Sequence, residues 1–342
     1  MSNIKPSSIR ISHNCIKFGP DGVEVRFMRT LRIPDDGKKY PLPPGFGSFP
    51  VRRVHDYLDR VPEEWRERGG IFLPMFQREA MWINFSCPSW RPRALQVGIG
   101  KVCAVTGKPW SGTLSPRKQN YMVLPKQPWL DGIATGHGTI RQFVAMPLGM
   151  GYTVEGQVTG EEVFGGLQLK VYEPKQGRFP KPPPPEQDSM RMRCAAAAPA
   201  MCAPSAPPPQ GGQSMGLAAG GRMKQKIYRD SYGLETWDRT NTNRIFVHLV
   251  NSEMWREITG EEAPRSPVTA KEYERSGLPW YDVYDEGQPA LSGGAALAKV
   301  KSVGEMDVET FGQAINSNDP VTVDEVTSYA ATDPNGIYDG NW

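Results

Sequence analysis

The residues Thr135-Gly-His-Gly-Thr139 place an imidazole between two glycines directly ahead of an apolar run, where backbone can approach a ligand closely. A histidine so placed can serve as a general base. Cys103 supplies a thiol that such a base activates, and Asp131 a carboxylate to orient the ring. On this reading the chain is a Cys/His hydrolase of small molecules with its site near residues 135–139. The same residues also admit a plainer reading, glycines shaping a tight turn beside a surface histidine. His13, His55 and His248 are far apart in the chain, and His248 falls inside an apolar run, as a core or interface histidine does.

Met192, Cys194, Met201 and Cys202 form a second group, with the soft thioether and thiolate ligands that select Cu(I). Arg191 and Arg193 would repel a cation there, and the two cysteines stand eight positions apart, so adaptable packing accounts for them better. No Cys-x-x-Cys or His-Glu-x-x-His pattern gathers zinc ligands, and no glycine-rich loop marshals backbone amides around a phosphate. No metal and no cofactor is expected.

A third pattern interleaves cations with rings, as in Ser89-Trp-Arg-Pro-Arg93 and Lys108-Pro-Trp110. Charge and stacking of this kind bind single-stranded nucleic acid. Two facts weigh against that reading: a net charge of only +3 over 342 residues, and the more frequent use of Trp and Tyr at this density in a sandwich core or a protein interface.

Charge and composition divide the chain into three parts. Residues 1–173 hold 23 Lys/Arg against 15 Asp/Glu, residues 174–226 hold 8 against 2, and residues 227–342 hold 9 against 20. The first part reads as a basic β-rich domain with one helical insertion over residues 51–68, interrupted at Pro62. The second, rich in Pro, Ala, Gly and Met, reads as a low-complexity linker, because it offers too little apolar area to offset its ordering entropy. The third reads as an acidic mixed α/β segment with a frayed end. Alternation of apolar and polar residues around a Gly/Pro/Asp turn predicts a hairpin over residues 15–33, and later strand candidates include 101–105, 121–124, 140–145, 152–157 and 167–172. The fold class expected is therefore α+β and β-rich, an antiparallel β-sandwich or open barrel followed by a smaller mixed α/β segment. Opposed charge on the first and third parts suits docking within one chain or between copies, with Trp255, Trp280 and Tyr281 as apolar anchors of that interface.

Two blocks, Ile140-Arg-Gln-Phe-Val-Ala-Met-Pro-Leu-Gly-Met-Gly-Tyr-Thr-Val-Glu155 with Gly165-Gly-Leu-Gln168, and Leu278-Pro-Trp-Tyr-Asp282 with the run at 245–250, resemble segments of an uncharacterised family of microbial proteins. The resemblance implies two ordered blocks around the linker and brings no activity with it.

The N-terminal residues lack the apolar core of a secretory signal, no uncharged run is apolar enough to span a membrane, and five cysteines form an odd, scattered set. A cytoplasmic protein with reduced thiols is expected. The leading functional expectation is a non-enzymatic intracellular interaction or self-assembly protein whose partner is itself or another protein. The small-molecule hydrolase and the single-stranded nucleic-acid binder stand as alternatives.

Overall fold

The computed structural model describes residues 9–19, 21–43, 45–180, 214–264 and 289–313. The chain opens with the meander β1 (Ile9–Ser12), β2 (Cys15–Phe18) and β3 (Val23–Thr30), then the short strands β4 (Lys39–Tyr40), β5 (Gly45–Ser48) and β6 (Arg52–Arg53). After α1 (Glu63–Arg68) come β7 (Ile71–Pro74), β8 (Ala80–Ser86), β9 (Arg93–Ile99), β10 (Val102–Cys103), β11 (Met122–Leu124), β12 (Trp129–Leu130), β13 (Gly132–Gly136) and β14 (Thr139–Pro147). The remainder is α2 (Val154–Thr159), β15 (Leu167–Pro174), β16 (Ser214–Lys224), β17 (Trp237–Val250), α3 (Ser252–Thr259), α4 (Ala295–Ala298) and α5 (Val303–Phe311). The protein is β-rich and α+β, as its alternating runs predict.

Hydrogen bonding runs β2-β3-β8-β14-β16-β17-β15-β9-β11, every step antiparallel. Because β11 pairs with β9 while β12 pairs with β8, the two ends of this walk are drawn toward each other around one interior. Period-2 alternation fills that interior: Val23, Val25 and Phe27 of β3, Met81, Ile83 and Phe85 of β8, Leu95, Val97 and Ile99 of β9, and Ile245, Val247 and Leu249 of β17 share one core cluster. The intervening residues face outward, onto helices or into solvent.

Several expectations need correction. The linker read over residues 174–226 is ordered at both ends, since Pro174 closes β15 and residues 214–224 are the strand β16, paired along most of β14. Its alanines and glycines are small because other elements lie against them. A Cβ on Gly220 would come within 2.6 Å of Val144 Cγ2. Residues 152–157, expected as strand, contain the start of α2, whose Thr153 hydroxyl accepts from Gly156 N as an N-cap. The expected helix over 51–68 is split into β6, a 3-10 turn at Val54–Tyr57, and α1, which starts just after Pro62. The third segment is also no separate core: β17 pairs antiparallel with β15 and parallel with β7, so the basic and acidic parts share one sheet.

Trp255 of α3, expected as an interface anchor, is fully buried against its own chain. Its ring meets Phe72 edge-on at 5.4 Å, and the Arg52 guanidinium lies 5.5 Å from its centroid. Trp280, Tyr281, Met192, Cys194, Met201 and Cys202 lie outside the described residues. At the far end of the sheet, α5 is held by the Arg78 fork on Asp307, at 2.7 Å for each nitrogen, and by Arg141 on Glu305 at 3.1 Å.

Truncating Trp255 to Ala should cost about 3–5 kcal/mol of stability, because a fully buried ring leaves a cavity between α3 and β7. The urea midpoint followed by far-UV circular dichroism measures it, and a loss under 1 kcal/mol would mean that α3 does not seat as described.

His248 stacks on Trp65 with centroids 4.3 Å apart and donates Nε2–H to Gly69 O at 3.0 Å. Burial pushes its pKa down to about 4, with Arg68 adding to the effect and the Gly69 bond opposing it. The folded imidazole stays neutral to about pH 4, whereas the unfolded one takes its proton near 6.5. Across that window the unfolded state binds more protons, so stability falls as pH falls, by on the order of 3 kcal/mol from this residue. Urea titrations of wild type and His248→Gln between pH 7 and 4.5 isolate the contribution. A stability difference between them that does not change with pH would contradict it.

Candidate functional site

The residues proposed for nucleophilic chemistry lie in three different surroundings. Cys103, on β10, is buried and donates its thiol to Asn120 O at 3.6 Å. Asp131 is buried, with Oδ2 accepting from Trp129 Nε1 at 3.1 Å and its backbone N–H donating to Gln225 Oε1 at 3.0 Å. His137 is exposed at the tip of the β13–β14 hairpin. Ala134 N donates to Ala104 O, so β13 does run beside the Cys103 segment. The thiol nevertheless faces a carbonyl, the carboxylate an indole and the imidazole solvent. Among the described residues no three His, Cys, Asp or Glu side chains gather to hold a metal ion.

Cys103 instead forms part of the wall of a cleft of about 220 Å³. Lys108, Lys118 and Trp110 line it, with the hydroxyls of Thr106, Ser111 and Ser115, the amides of Gln96 and Asn120, and no carboxylate among the described residues. The loop that shapes it is fixed by side-chain amides: Gln96 Nε2 and Asn120 Nδ2 each donate to Thr113 O at 2.9 Å, and Asn120 Oδ1 accepts from Ser115 N. Lys118 Nζ donates to Gly293 O at 2.7 Å, tying the rim to the segment before α4. Trp110 lies over β9 where Gly98 leaves room, since a Cβ there would stand 2.7 Å from the indole.

Beside the cleft is the outer face of β9, β15 and β17, where cations are seated on aromatic rings. Arg68 and Lys101 each lie 4.1 Å from the centroid of Phe164, one from the end of α1 and the other from the turn after β9. Arg244 lies 4.9 Å from Phe246, and Lys170 lies 5.1 Å from Tyr172. Strand register brings these together: Lys170 is directly opposite Arg244, and Gln168 is opposite both Phe246 and Gly98. Like charges in register repel. The Lys170 ammonium is accordingly held below its usual range, first by burial and then by Arg244. None of these four cations has an ion-pair partner among the described residues, whereas Arg29, Arg78, Arg93 and Arg141 are paired with Glu79, Asp307, Glu173 and Glu305. The nearby carboxylate of Glu155 is buried beneath the Phe164 loop and spent on the backbone N–H groups of Lys101, Phe164 and Gly165.

Sequence reasoning singled out Lys108 and Trp110 but missed Arg68, Lys101, Phe164, Lys170, Arg244 and Phe246. A local signal existed for two pairs. Lys170 with Tyr172, and Arg244 with Phe246, are cation and ring two residues apart on strands, hence on one face.

Comparison with family models, with curated proteins and with solved structures finds no match to this chain.

Replacing Gly98 by Val should lift Trp110 from β9 and open the cleft rim. The part of the tryptophan emission assigned by comparison with Trp110→Phe should shift to longer wavelength. Emission unchanged from wild type would show that the indole does not rest on β9.

Proposed function

We propose that this chain is an interaction protein that holds an anionic partner on the outer face of β9, β15 and β17, with the Lys108 and Lys118 cleft at its border. The observation that carries this reading is the way the face holds its cations. A ring beneath an ammonium or guanidinium restricts where the charge sits and leaves its sign uncancelled, unlike a carboxylate partner. A row of such cations raises the local concentration of anions and orients them on approach, an effect that salt screens. The cleft supports the same reading, because its wall carries two ammonium groups, hydroxyls and amides, with no opposing carboxylate among the described residues.

The test is retention on a sulfated polysaccharide resin. The triple variant Arg68→Gln, Lys101→Gln, Arg244→Gln should elute at clearly lower salt than wild type. A control removing three cations that have carboxylate partners elsewhere, Lys38→Gln, Arg53→Gln and Arg256→Gln, has the same net charge and should elute near wild type. Equal loss of retention in both variants would reduce the face to its share of net charge and overturn the proposal.

A further inference from the structure

We infer that the partner taken by this face is a single-stranded nucleic acid, with one unstacked base entering the cleft against Trp110; this rests on the anion-binding reading above. Three features go beyond what a generic polyanion requires. The first is alternation. Along β17 the outward positions step from Phe246 to Arg244 to Thr242, so ring, cation and polar group follow one another at two-residue intervals of about 6.6 Å, with the part-buried Lys170 of β15 directly opposite Arg244. A single strand presents a matching alternation, one phosphate and one accessible base per nucleotide. A duplex hides its base faces and offers only phosphates.

The second feature is the cleft. At about 220 Å³ it is smaller than the roughly 300–1,000 Å³ of sites for drug-sized ligands, and one of its walls is an indole. That suits a single planar base. The base edge would meet Thr106, Ser111 and Ser115, hydroxyls that both donate and accept, beside the Lys108 ammonium. The third feature is what the rings do. Phe164 has Arg68 and Lys101 within 4.1 Å and acts as a post for two charges, whereas Trp110 rests on Gly98 and, among the described residues, has no cation over it. One ring positions phosphate-binding charge and the other is left for a base. An acidic peptide would use the cations and leave Trp110 idle. The modest net charge of the whole chain is a sum over all 342 residues and does not measure the charge held on this face.

The experiment is fluorescence anisotropy with fluorescein-labelled 20-nucleotide oligo(dT) and oligo(U), a duplex of the same length, and unlabelled heparin as competitor, over 50–300 mM salt. Single strands should bind more tightly than duplex, with log K falling against log salt at a slope of about −2 to −3, as three or four phosphate contacts require. Trp110→Ala should weaken single-strand binding about 5–100-fold at an unchanged slope, and Trp110→Tyr should restore most of it. Arg244→Gln should make the slope shallower by about 0.7. Duplex and heparin bound as tightly as single strands, with Trp110→Ala without effect, would overturn the nucleic-acid inference and leave the anion-binding face standing. No binding of any of the three probes would overturn both. Sedimentation showing that wild type associates with itself and the triple variant does not would assign the face to the acidic segment of a second copy, and so also overturn the inference.

Discussion

The strand β17 is the constraint on which the rest of the described structure depends. It pairs with β15 on one side and β7 on the other, and its last two residues, Leu249 and Val250, pair with Met215 and Ser214 of β16. Its inward positions, Ile245, Val247 and Leu249, complete the interior that β3, β8 and β9 also fill. Backbone donors and acceptors of a buried strand must be paired, so a segment lying beyond the low-complexity stretch is required to satisfy the edges of β15 and β7 that β9 and β6 leave open. The apparent third part of the chain is therefore structural material of the first.

Two means of holding a cation coexist on this scaffold and serve different ends. Around α5 and at the β9–β15 border, arginines are gripped by carboxylates: Arg78 by Asp307, Arg93 by Glu173. Such pairs offset much of the desolvation cost by mutual attraction and leave little field outside. On the outer face of β15 and β17 the seats are rings: Arg244 beside Phe246 keeps its charge at the surface, while Lys170 beside the buried Tyr172 also donates to Gly112 O at 2.6 Å. Lys170 is held below its usual pKa there, first by burial and then by Arg244.

The same strand carries both halves of this economy of space. Alternate residues of β17 face the core or the outer surface, so Arg244, Phe246 and His248 fall on one side by geometry alone. Phe246 and Arg244 remain at the surface, while His248 is roofed by Trp65 of α1 and driven neutral. The helix α1 thus closes one end of the face and delivers Arg68 to Phe164.

By itself the sequence determined the β-rich class, the β2–β3 hairpin, the run that became β17 and the unequal charge of its parts. These depend on local period and turn chemistry, which a reader of residues can count. Tertiary structure alone decided that residues 214–224 are a strand, because the small residues that look like linker composition are the ones that fit beneath Val144 and its neighbours. It alone decided that Cys103, Asp131 and His137 face different partners. The cation-bearing face was hidden for the same physical reason. Arg68, Lys101, Phe164 and Arg244 come from four separate stretches, and only strand register and the seating of α1 bring them together.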